Sequence, residues 1–184
     1  MTLSALGESQ EADFHLHRAE ELPKDRYPPW SLFGQAHVNL KQWDRAIEYD
    51  RKEIEVEPQN AVLYTGLGEA LQANGQTQES IAAFRQAIRL DPTFLDASIN
   101  LAITLAEEGD MDEAINLLVS ALQSNPKGPH ADAAWFNLGN IFAHKSDWNA
   151  AENAYEHALN LNPDLNAARQ RLESVEAERA VRPQ

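Results

Sequence analysis

The sequence predicts an all-α fold, an α-solenoid of stacked antiparallel helix pairs, and three observations carry that prediction. Prolines close apolar runs at Pro58, Pro92, Pro126 and Pro163, at spacings of 34, 34 and 37 residues. Counted back from each proline, the same residue types recur. Trp30, Tyr64, Ser98 and Trp135 begin a run, and Phe33-Gly34, Leu67-Gly68, Leu101-Ala102 and Leu138-Gly139 follow three residues later. Breaks at Asn74-Gly75-Gln76 and Glu108-Gly109-Asp110 divide two of the units in half, where glycine suits a left-handed helix cap.

Each position has a physical role. Large residues at i, i+3 and i+7 make one apolar stripe on a helix; His37, Leu71, Leu105 and Phe142 complete it. The small residue at a fixed offset (Gly34, Gly68, Ala102, Gly139) lets two helices approach closely. In the second helix Ala46, Ser80, Ala114 and Ala151 align, then Asp50, Phe84, Leu118 and Tyr155, then Glu53, Ala87, Ala121 and Ala158. The proline that follows lacks an amide proton and disfavours helix in the residue before it. A hairpin of this size cannot bury its apolar face alone, so neighbours must stack. The expected organisation is a half-repeat helix within 1–26, repeats at 27–60 and 61–94, a repeat with its following loop at 95–131, a repeat at 132–163, and a capping helix with tail at 164–184. In that last segment a narrow stripe of Leu165, Ala168, Leu172 and Val175 runs among charged residues, as a polar-backed cap requires.

These four in-phase units, over residues 27 to 163, resemble the tetratricopeptide repeat family. The resemblance implies a right-handed superhelix in which the first helix of each pair lines a concave groove. It also implies non-enzymatic binding of a partner protein.

Two places depart from the pattern. The interval from Pro126 to Pro163 holds three extra residues near Pro126-Lys127-Gly128-Pro129-His130, read as a rigid surface loop. The first repeat sets His37, Asp50 and Glu53 where its siblings set Leu71, Phe84 and Ala87. Either the histidine pairs with a carboxylate inside the hairpin, or the carboxylates reach water; an end repeat is half covered, which favours partial exposure.

Composition narrows the chemistry. The 184 residues contain no cysteine, which excludes disulfides, thiolate metal sites and a thiol nucleophile. No histidine pair sits at i, i+4, and the acidic turn from Glu107 to Glu113 lacks the twelve-residue spacing of a calcium loop. No phosphate loop, nucleophile elbow or acid/base pair is evident, so no catalytic, cofactor or metal residue is assigned. Twenty-nine acidic residues against 15 basic give a net charge of −14, which repels nucleic acid and anionic membranes. There is neither a membrane-length apolar stretch nor a signal-like amino terminus, so a cytoplasmic protein without membrane insertion is expected.

The expected function is a scaffold that binds a peptide or helix of a partner protein in its groove. A structural protein whose arrays dimerise or stack end to end, a homo-oligomer, is the alternative. The groove residues expected from the family's first-helix offsets are Thr65, Glu69, Asp96, Ile99, Asn100, Ile103, Glu107, Phe136, Asn137 and Asn140. Ile99, Ile103 and Phe136 offer apolar pockets, and Asn100, Asn137 and Asn140 offer both donors and acceptors to a peptide backbone. The cations with which one subclass grips carboxylate tails are missing: the corresponding places hold Asp96 and Asn100, or Ala133 and Asn137. From Glu53 to Pro126 there are 12 acidic residues and two basic ones, so the expected partner is a basic segment with apolar anchors.

Overall fold

The structure, a computed structural model, describes residues 42–181, and all eight regular elements among them are α-helices. They are α1 (Trp43–Val56), α2 (Ala61–Ala73), α3 (Thr77–Leu90), α4 (Leu95–Glu107), α5 (Met111–Ser124), α6 (Ala131–His144), α7 (Trp148–Leu161) and α8 (Asn166–Val181). The expected half-repeat helix within 1–26 and the first helix of the first repeat, with His37, lie outside the described residues, as does the tail from 182.

The within-pair turns share one hydrogen-bond pattern. Gln76 N–H donates to Leu71 O at 2.9 Å, Asp110 N–H to Leu105 O at 2.8 Å, and Asp147 N–H to Phe142 O at 2.9 Å. Each bond spans the last helical turn as a Schellman cap and needs a left-handed residue just before its donor. Gly75 (φ 78°) and Gly109 (φ 96°) supply it in two turns, and Ser146 (φ 61°) in the third. A side chain in that region carries a steric cost that glycine escapes. Ser146 is exposed. Ser146→Gly is therefore expected to stabilise the chain by about 0.5–1 kcal/mol, read as a raised midpoint in urea.

The chain divides into two compact units, residues 1–80 and 81–184. In the first, α1 packs against α2; Ala46, Ile47 and Tyr49 of α1 and Leu63, Leu67, Ala70 and Leu71 of α2 are buried. Arg51 reaches Glu79 at 2.8 Å, and Asn74 Nδ2 donates to Asp44 at 2.9 Å.

In the second unit α4 packs on α5, α6 on α7, and α8 on α7. Consecutive pairs join through α5 against α6 and α4 against α6, which sets the two first helices side by side. One core runs through Phe84, Leu101, Leu105, Leu118, Leu122 and Leu138. A second gathers Ala151, Tyr155, Ala158, Ala168 and Val175, with Leu165, just before α8, and Leu172 of α8 partly buried against it. The opposite face of α8 (Arg169, Gln170, Glu173, Ser174, Glu176) is exposed and polar.

The three-residue insertion is a held loop. Asn125 Nδ2 donates to Thr93 O at 3.1 Å, and His130 precedes α6 in a left-handed conformation (φ 63°) with its Nδ1 on Asp96. The same asparagine one pair later, Asn162, donates to Asp132 at 2.7 Å. These residues before proline tie the end of each second helix to the start of its pair.

Candidate functional site

The expected groove residues fall on the first helices of the pairs and divide between the units: Thr65 and Glu69 on α2, the others on α4 and α6. Their availability differs. Thr65 is buried, and its hydroxyl donates to Ala61 O at 3.1 Å, whereas Glu69 is exposed one turn further on.

On α4 Asp96 is half-buried and already meets His130, and Asn100 is half-buried. Ile99, expected as an open pocket residue, is 8% exposed and belongs to the core. Position 99 is covered because α4 has neighbours in both its own pair and the next. Ile103 is half-buried at the edge of the same core, and Glu107 is exposed at the helix end.

On α6 Phe136 is half-buried, its ring 5.9 Å from that of Tyr155 and tilted by 47°. The two asparagines beside it are committed internally on one side each. Asn137 Nδ2 donates to Ala133 O at 2.9 Å, and Asn140 Oδ1 accepts from the Tyr155 hydroxyl at 2.9 Å. Asn137 therefore keeps its carbonyl oxygen for an outside donor, and Asn140 keeps its amide hydrogens for an outside acceptor. Burial pushes the Tyr155 hydroxyl above its ordinary range, so it stays a protonated donor.

Gly139 makes this arrangement fit. A Cβ there would lie 2.6 Å from Cε1 and 2.7 Å from Cδ1 of Tyr155, so the ring occupies the space a side chain would need. The sequence marks Gly139 as the small residue of its unit. It gives no sign that the neighbour is Tyr155, 16 residues on.

The other departure lies in the first unit. Asp50 is 8% exposed, against the partial exposure expected of the first repeat's carboxylates, whereas Glu53 is half-buried, in line with it. Burial first, then the carboxylates of Glu53 and Glu69, push Asp50 up to about 7. The expected contact with His37 lies outside the described residues. Among the described residues no cluster of His, Cys, Asp and Glu is arranged to hold a metal, and no helix is long and apolar enough to cross a membrane.

Comparison with known proteins places this geometry. Tetratricopeptide repeat profiles match residues 31–93, 71–138 and 133–165. Superkiller protein 3 of Saccharomyces cerevisiae is 30% identical over 95 residues, 52% of this chain and 7% of that one. A peroxisomal targeting signal receptor of Kluyveromyces lactis is 33% identical over 82 residues, 45% of this chain and 14% of that one. The chain thus spans under a fifth of the length of these relatives. Among solved structures, PilF of Pseudomonas aeruginosa superposes with a TM-score of 0.74 at 19% identity, covering 82% of this chain and 68% of that one. YrrB, described as a TPR protein with an unusual peptide-binding site, superposes at 0.65 with 23% identity, covering 91% and 85%. The recurring helix pairs, the glycine-turned caps and the three matching profiles together make this chain a member of the tetratricopeptide repeat family, with that family's all-α solenoid fold.

Proposed function

We propose that this chain is a non-enzymatic interaction module whose first-helix face binds a peptide or helix of a partner protein, a basic segment carrying one or two large apolar anchors. The observation that carries the reading is the α4–α6 face. Ile103 and Phe136 are half-buried there, while the Asn137 carbonyl and the Asn140 amide hydrogens are not used by the hydrogen bonds those side chains make. Apolar anchors supply most of the affinity at such surfaces, and oriented amides fix the register of the bound chain. Glu107, exposed at the end of α4, adds negative charge beside this face and speeds the approach of a cationic segment. The peptide-binding site named for YrrB and the targeting-signal receptor function of a sequence relative agree with this class of activity.

The test uses peptides selected on the protein from a random display library. Phe136→Ala is expected to weaken the selected peptides about tenfold or more, as loss of a buried anchor's pocket does. Glu69→Lys with Asp96→Lys is expected to slow association and flatten its dependence on salt. Binding that is indifferent to all three changes overturns the reading. Stacking of copies through α8 is disfavoured by that helix's polar exposed face, and sedimentation is expected to show a monomer.

A further inference from the structure

Packing does not require the hydroxyl of Tyr155. The same register of the second helix holds Phe84 and Leu118 in the two preceding repeats, both fully buried, so an apolar side chain fills the place. Tyr155, at 1% exposure, carries a phenolic hydrogen into that core. Its ring lies against the bare backbone of Gly139, and its hydroxyl reaches the next residue of α6, donating to Asn140 Oδ1 at 2.9 Å. The two preceding repeats place Ile103 and Glu69 at the offset of Asn140, so this tyrosine–asparagine pair belongs to the last repeat. The bond fixes which way the Asn140 amide is turned. Turned end for end, the amide would donate to the phenolic oxygen and leave the buried phenolic hydrogen without an acceptor among the described residues. An unpaired buried donor is costly, so the carbonyl stays on Tyr155 and Nδ2 remains the uncommitted end of a half-buried side chain. Asn137 on the same helix is held the other way round, its Nδ2 donating to Ala133 O.

We propose that Tyr155 is a positioning residue: its hydroxyl holds Asn140 as a one-way hydrogen-bond donor, so that the last repeat takes an amide carbonyl of the partner segment and refuses a donor there. The inference rests on the reading of the first-helix face as the binding surface, and it narrows what that face takes. Main-chain carbonyls inside a helix are already bonded within it, whereas an extended segment, or a Gln or Asn side chain, offers one that is not. The chemistry recognised is therefore an amide carbonyl outside helical structure. Phe136, whose ring is 5.9 Å from that of Tyr155, stands about one turn before Asn140 on α6. An apolar anchor and a carbonyl of the same segment are thus read side by side, and Tyr155 touches both of the residues that read them.

The probe is a peptide enriched on the full chain from a random display library. It is remade with each main-chain amide in turn replaced by an ester, a weaker acceptor, and with each Gln replaced by Met and each Asn by Leu. One replacement is expected to weaken binding to the parent protein about fivefold. An ester so identified makes the main chain the source of the carbonyl, and a Met or Leu makes it a side chain. In Tyr155→Phe the same replacement should cost under about twofold, because the amide is no longer held one way. The ring of that variant keeps its place against Gly139 and Phe136, and the Asn140 side-chain carbonyl carbon should shift in the NMR spectrum of the free protein. Tyr155→Phe with Asn140→Leu replaces both partners by apolar groups, which spares the fold, and should show no preference among the peptides. An equally strong preference in Tyr155→Phe, or no replacement that discriminates on the parent, overturns the positioning role. If Phe136→Ala still weakens the peptide in those cases, the groove reading stands and only the part given to Tyr155 is wrong; if no peptide is enriched, both fall.

Discussion

Gly139→Leu should unfold the second unit at a markedly lower temperature than the parent chain. The Tyr155 ring already lies where even a Cβ would go, at 2.6–3.0 Å, and the ring has nowhere to retreat. Tyr155 is 1% exposed, its hydroxyl is held by Asn140, and it packs in the core that joins α7 and α8. Overpacking of this kind costs about 1–3 kcal/mol for an added methylene or two, and leucine adds four carbons, so a loss above about 3 kcal/mol is expected. At about 2–4 °C per kcal/mol for a chain of this size, the midpoint should fall by roughly 10 °C. Gly139→Ala should show a smaller loss in the same direction. Calorimetry decides: a midpoint within about a degree of the parent in the leucine variant means that α6 and α7 do not approach closely at Gly139.

The second large effect is an unusual dependence of stability on pH, removed by Asp50→Asn. In the unfolded chain an aspartate loses its proton near its ordinary value of about 3.9, whereas in the folded chain Asp50 keeps it up to about 7. Between those values the folded state binds more protons than the unfolded one, so this group's contribution to stability is full below about pH 4 and falls as pH rises, reaching its minimum above about pH 7. The difference of about three units corresponds to at most about 4 kcal/mol. Asparagine mimics the protonated acid at every pH. The two proteins should therefore match near pH 4, and the variant should exceed the parent by on the order of 2–4 kcal/mol at pH 8. Urea denaturation at several pH values measures the gap, and parallel curves would contradict a buried, disfavoured carboxylate at position 50.

The fold was legible because it is written several times. Proline spacing, the small residue at a fixed offset and the glycine turns each recur, so an error in one unit is outvoted by its siblings. The sequence reads less well where the unit is singular. Ser146 takes the conformation of Gly75 and Gly109, yet only its register against those glycines hints at this. Asp50 was visible as a polar residue in an apolar place, but its burial depends on how closely α1 and α2 pack, which composition does not report. First-helix offsets name Phe136, Ile103 and Ile99 alike, yet the first two are half-buried and Ile99 is enclosed, a difference that the offsets alone do not carry. The internal bonds of Asn137 and Asn140 were not legible at all. One needs the turn before it, the other a tyrosine on the facing helix, and neither partner is marked by its type. The His130 contact with Asp96 joins residues 34 apart through a loop that fits no repeat.

One measurement bears most directly on the proposed role: sequencing the peptides enriched on this protein from an unbiased display library at low salt, with the Phe136→Ala protein as counter-selection. The account predicts enriched sequences with a large apolar residue, Leu, Ile, Phe or Trp, flanked within a few positions by Lys or Arg, and loss of that enrichment on the variant. Enrichment of acidic sequences, or an identical set on both proteins, would contradict it.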